Sequence, residues 1–159
     1  MRSRAALGGH PLHPAMVAIP IGAFTVTLVA DLLVLVHRPG PWDATARYSL
    51  ALGIAGALAA AVLGFIDYFG VEMSPAGKKV VVWHLRVNLA AVALFGASLW
   101  LRQSDPARWC MPGFAASTTG YVLLMVGGWL GGKLVFEHKV GVIETADPQA
   151  TEIGQRQKG

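Results

Sequence analysis

The chain is short of charge: only 14% of its 159 residues are Asp, Glu, Lys or Arg, against 54% hydrophobic, and its mean hydropathy is +0.52. That balance excludes an ordinary soluble domain, in which about a quarter of the residues are charged. Cysteine is nearly absent, and the single Cys110 makes by itself no internal disulfide, iron–sulfur site or thiolate zinc site. There is no phosphate-binding loop, no nucleophile elbow and no zinc-protease helix with paired histidines. The excess positive charge, +4 with a pI near 9.6, is scattered over loops and ends. Without a dense basic face it argues against nucleic acid as a partner and fits topology setting and contact with anionic lipid headgroups. No convincing tandem repeat is visible.

What the chain does have is four long apolar runs, at about 15–36, 48–69, 80–101 and 113–135. Hydrocarbon about 30 Å thick needs roughly 20 apolar residues as a helix. The runs therefore predict an all-α fold, a four-transmembrane-helix up-down bundle filling residues 1–143, with 144–159 as a polar, disordered tail. The first run is of full spanning length and three like it follow, which argues against a signal peptide. Short connections make neighbouring helices antiparallel. In the second run Gly56, Ala60 and Gly64 recur every four residues, a face on which helix backbones approach closely. In and just after the fourth, Gly120, Gly127, Gly128, Gly131 and Gly132 leave room for a neighbouring helix or a flat ligand. Trp42, Trp83, Trp100, Trp109 and Trp129 fall mostly near span ends, as an aromatic belt does.

Alternating helix directions gather the chemistry-bearing residues. The start of the first span, the end of the second, the start of the third and the end of the fourth share one membrane face, which receives His10 and His13, Asp67 and Tyr68, His84 and Asn88, and Glu137 and His138. Only His37 falls on the other side. Neutral imidazole ligates iron, copper or zinc, and its second nitrogen is fixed by a carboxylate or carbonyl. Two histidines on facing helices can clamp a haem, so His13 and His84 are the candidate metal ligands, with His10 and His138 in reserve. His84 and Asn88 lie one helical turn apart, about 6 Å along the axis. Asn88 and Asp67 are the candidates to orient the ligands by hydrogen bonds, with pairing to Arg86 as the alternative for Asp67. The competing expectation is that interfacial histidines make only headgroup contacts or helix caps. Asp31, about 25 Å up the first helix, reads as the partner of Arg47 or Arg102, or else as a proton-pathway residue.

Basic residues near the span ends set the expected orientation. Arg2, Arg4, Lys78, Lys79, Lys133 and Lys139 lie on the histidine side, with Arg86 in the first turns of the third span and Arg156 and Lys158 further out. Arg38, Arg47, Arg102 and Arg108 lie opposite. The positive-inside rule places both termini in the cytoplasm.

The box Gly9-His10-Pro11-Leu12-His13-Pro14, followed by Ile19-Pro20-Ile21-Gly22 and Asp31, is joined by Gly64-Phe65-Ile66-Asp67-Tyr68, by His84 with Asn88, and by Gly131-Gly132-Lys133-Leu134-Val135-Phe136-Glu137-His138 with Gly141-Val142. Over about residues 8–143 this combination resembles the bacterial membrane family known as domain of unknown function 2231. The resemblance implies a four-helix protein of the bacterial inner membrane, with relatives that can be joined to Rieske or cytochrome modules. It points by analogy to electron transfer, although this chain carries no such module. The leading expectation is thus a b-type haem protein passing electrons to a quinone or a respiratory partner, with Asp67 and Asn88 supporting the ligands. The alternatives are a structural or assembly subunit without cofactor and, with less to build on, a small transporter; a homo-oligomer fits any of the three.

Overall fold

In the computed structural model, residues 5–8, 10–37, 40–103 and 110–141 are described. Two short strands, β1 (Ala6–Leu7) and β2 (His10–Pro11), pair antiparallel with Ala6 opposite Pro11. The turn between them needs a left-handed residue, supplied by Gly8 at φ 58°. Helices α1 (Leu12–Met16) and α2 (Ala18–His37) follow, then α3 (Pro41–Gly70), α4 (Pro75–Gln103) and α5 (Met111–Phe136).

Local chemistry explains the helix ends. Pro14 sits in the first turn of α1, where no intrahelical donor is required. Pro20 has no N–H for the Met16 carbonyl, and the break between α1 and α2 falls at Val17. The path continues through Val17 N–H to His13 O and Ile21 N–H to Val17 O, so Leu12–His37 is long and apolar enough to form one span. Pro41 opens α3, and Asp43 in its first turn complements the helix dipole. Ser74 Oγ accepts from Gly77 N–H at the start of α4. Cys110 caps α5, its Sγ accepting from Gly113 N–H. The four spans have 26, 30, 29 and 26 residues and run past their apolar stretches. Only Val71–Ser74 separates α3 from α4.

The helices pack mainly as two hairpins, α2 against α3 and α4 against α5. Lesser contacts of α3 with α4 and α2 with α5 close the ring, leaving α2 and α4 on a diagonal. The interior is unlike that of a water-soluble bundle. Thr27, Asp31, Ser98, Arg102 and Ser117 are buried, while Tyr48, Phe69 and Trp129 are more than 70% exposed. Trp42, Trp83 and Trp100 are exposed as well; Trp109 lies outside the described residues. A polar interior with an apolar exterior places the outer face against hydrocarbon.

An internal two-fold pattern, not apparent from the sequence, organises this interior. Asp31 and Arg102 are 71 residues apart, and the same shift carries His13 onto His84 and Phe24 onto Phe95. Phe24 and Phe95 stack across the diagonal, ring centroids 3.6 Å apart and planes within 8°. Leu50 and Ala91 complete this fully buried centre.

Beyond it, Arg102 Nη1 and Nη2 donate to Asp31 Oδ1 and Oδ2, both at 2.7 Å, in a pair that is 2% and 0% exposed. Ser117 Oγ accepts from Arg102 Nη2 and donates to Asp31 Oδ2, each at 3.1 Å. Arg102 Nε donates to Ser98 Oγ, and Ser98 Oγ to Gly113 O. Arg47, the other expected partner of Asp31, instead pairs with Asp43 one turn away and donates to the Arg102 carbonyl. All four spans therefore meet at one charge pair, and the Asp31 carboxylate is held by Arg102 and Ser117.

Removing one member of a buried pair strands the other charge, at a cost of about 3–5 kcal/mol. Asp31→Asn should lower stability by that order in detergent unfolding followed by circular dichroism. The double change Asp31→Leu/Arg102→Met should recover most of the loss; no recovery would show that shape rather than charge holds this layer.

Candidate functional site

His13 lies in the first turn of α1, and the strand pair anchors the chain just before it. Leu12 N–H donates to Ala5 O at 2.8 Å, and Ala5 N–H donates to Asp67 Oδ1 at 3.0 Å near the end of α3. Asp67 thus fastens the entry segment to the bundle, and among the described residues no imidazole hydrogen-bonds to it. Nor does it pair with Arg86, whose guanidinium lies over the Trp83 ring.

The two half-buried imidazoles are held alike. His13 Nδ1 lies 2.7 Å from the Ala60 carbonyl oxygen, and His84 Nδ1 lies 2.9 Å from that of Gly127. A carbonyl only accepts, so Nδ1 carries the proton in both rings and Nε2 keeps its lone pair. Among the described residues neither Nε2 has a hydrogen-bond partner.

A glycine faces each ring. A Cβ on Gly64 would fall 3.0 Å from His13 Cε1, and one on Gly131 would fall 3.2 Å from His84 Cε1. The stacked phenylalanines repeat the device: Gly53 faces Phe24 and Gly120 faces Phe95. Eleven residues, three helical turns, separate His from Phe on one helix and Gly from Gly on its antiparallel partner in both hairpins. Equal spacing in opposite directions brings each ring to its own glycine. This paired eleven-residue spacing is the sequence signal by which the carbonyl at Ala60 or Gly127 and the glycine one turn later can be found.

Asn88 donates from Nδ2 to the His84 carbonyl oxygen at 2.8 Å and comes within 3.4 Å of His84 Nδ1. Its amide fills the space over Gly127, where a Cβ would stand 2.5 Å away. Asn88 therefore buttresses the His84 end of the site. His10 is exposed on β2, its Nδ1 3.2 Å from Gly8 O, apart from the other imidazoles. His138 follows α5 and packs on Gly77, two turns before His84 on α4. The structure thus holds His13 and His84 in the same way, each on its own hairpin, and gives His10 and His138 different surroundings.

Among the described residues no three His, Cys, Asp or Glu side chains converge as a metal site built wholly from side chains requires. Two open surface cavities, lined by Lys78, Lys79, Val82, Trp83 and Arg86 and by Ala44, Arg47, Tyr48 and Gln103, touch neither histidine.

A family model described as predicted membrane protein (DUF2231) matches residues 9–144, and the chain belongs to that family. No curated protein and no solved structure matches it significantly.

The glycine floors yield a stability test. Gly64→Ala and Gly131→Ala push a methyl group against an imidazole and should each cost about 1–3 kcal/mol. Gly128→Ala, with nothing within 4 Å of the added carbon, should be neutral or slightly stabilising. Equal thermal midpoints for all three in detergent would remove the ring-on-glycine contact as a constraint.

Proposed function

We propose that this DUF2231 protein binds a b-type haem through Nε2 of His13 and of His84 and carries electrons within the bacterial inner membrane. The observation that supports this most directly is the matched state of the two imidazoles: each gives its Nδ1 proton to a backbone carbonyl of its own hairpin and leaves Nε2 without a partner among the described residues. Ligating histidines are prepared in this way, because the outer hydrogen bond fixes the tautomer and raises the basicity of the free nitrogen. His13 and His84 would hold the iron of such a group through neutral imidazole nitrogens, the donor type that haem takes from a protein. When bound, haem supplies the one-electron ferric–ferrous couple.

The chain's residues have distinct parts in this reading. Ala60 and Gly127 orient the rings through their carbonyls, and Gly64 and Gly131 let the rings lie against the helix backbone. Asn88 braces the His84 turn, and Asp67 ties down the segment that delivers His13. The apolar bundle lowers the local dielectric, which tunes a bound redox group. The electron partner is a quinone in the bilayer or a separate respiratory protein. Both termini are cytoplasmic in this proposal, on the side of Lys78, Lys79, Lys133 and Lys139.

A cofactor-free assembly subunit is the competing reading. It draws on the same two Nδ1 bonds, each of which joins two spans and stabilises a hairpin without any ligand. A reduced-minus-oxidised spectrum of protein purified in detergent from haem-supplemented cells separates the two. Haem binding predicts a split haem signature in the wild-type protein that is lost in His13→Ala and in His84→Ala while circular dichroism keeps its helical form. Wild-type protein with neither a haem band nor metal by elemental analysis would leave only the assembly role.

A further inference from the structure

We infer that the lipid-facing stripe Lys78–Lys79–Val82–Trp83–Arg86 on α4 is a binding site for the phosphate headgroup of an anionic phospholipid. The five residues line one open cavity of about 380 Å³. They recur at helical spacing on one face of α4 and extend about 12 Å from its first turns into the span. Lys78, Lys79 and Arg86 are exposed, and Trp83 is 58% exposed.

Charge accounting points to the occupant. Of the cations within spans, Arg102 has its own buried carboxylate, Arg47 has Asp43, and Lys133 has Glu137. Lys78, Lys79 and Arg86 make no ion pair among the described residues. A guanidinium on the lipid side of a span is costly unless it reaches the interface or meets a counter-charge. Arg86 is directed back toward the helix start: its guanidinium carbon lies 5.6 Å from the ring centroid of Trp83, three residues nearer the interface. That brings a planar, bidentate donor toward the two lysines at the start of the span, the end nearer the interface. Val82 and the Trp83 ring provide apolar surface for the glycerol and upper acyl carbons. Lipid phosphate is thus the counter-charge that none of the described residues supplies.

This site stands apart from any cofactor, because Trp83 faces outward while its neighbour His84 is turned to Gly127 on α5. Native mass spectrometry of the full chain, offered phosphatidylglycerol and phosphatidylcholine in equal amounts, tests it. Phosphatidylglycerol should be retained in preference, and Lys78→Gln, Lys79→Gln and Arg86→Gln should each weaken retention about fivefold. Tryptophan quenching by brominated lipid gives a second readout in which the basic residues stay intact. Brominated phosphatidylglycerol should quench more than brominated phosphatidylcholine in wild-type vesicles, and Trp83→Phe should abolish the excess. Equal retention of the two lipids, or undiminished retention by the folded triple variant, overturns the proposal. Displacement of the lipid by millimolar inorganic phosphate would also overturn it, by marking a site for free phosphate.

Discussion

Hydrocarbon offers a polar side chain no hydrogen-bond partner, and the Asp31–Arg102 pair is where that constraint weighs most on this protein. Two full charges lie at almost zero exposure in a chain whose outer surface is leucine, valine and aromatic rings. They are tolerable because the guanidinium and carboxylate meet through two parallel bonds and the serines at 98 and 117 take up remaining donors and acceptors. α2, α4 and α5 contribute side chains to the network, and α3 reaches it through Arg47 and the Arg102 carbonyl. The pair consequently fixes how the two hairpins sit against one another, a relation that apolar contact in lipid specifies poorly.

The same hairpin relation governs the rest of the interior. Along the diagonal of α2 and α4 the residues change in kind from one membrane face to the other: imidazoles, then stacked phenyl rings, then the ion pair. Each ring is admitted by a glycine on the antiparallel neighbour. Stacking of Phe24 on Phe95 requires the hairpins to approach closely at mid-depth, and the glycines at 53 and 120 make that approach possible. The histidines then fall at one level because they precede the phenylalanines by the same number of turns. Their common depth follows from the geometry of a two-fold arrangement anchored elsewhere.

The two positions of the 71-residue shift have diverged where chemistry demands it. Asp31 and Arg102 are opposite charges because two like charges could not share that layer. Asn88 has Val17 as its counterpart, so the amide brace belongs to the His84 half alone. The outward face of α4 differs again, carrying three cations without an ion pair among the described residues, whereas the outward face of α2 carries no Lys or Arg. An approximately symmetric core thus sits within an asymmetric exterior.

By itself the sequence determined the solvent and the element type: scarce charge and four apolar runs of spanning length permit only helices in a bilayer, since each helix satisfies its own backbone there. It also determined that His13 and His84 share one membrane face, because short connections force alternating directions. It placed Asp31 near two arginines at its own depth, Arg47 and Arg102, and could not choose between them. Tertiary structure decided that choice, through the diagonal placement of α2 and α4, and assigned Asp67 to the Ala5 backbone and away from the histidines. It also gave His10 and His138 surroundings of their own and showed that Nδ1 of His13 and of His84 each meets a backbone carbonyl. Depth is legible from residue count because a helix rises by a fixed increment; azimuth is not, because the facing of each helix is settled only when rings, glycines and charges from distant segments pack together.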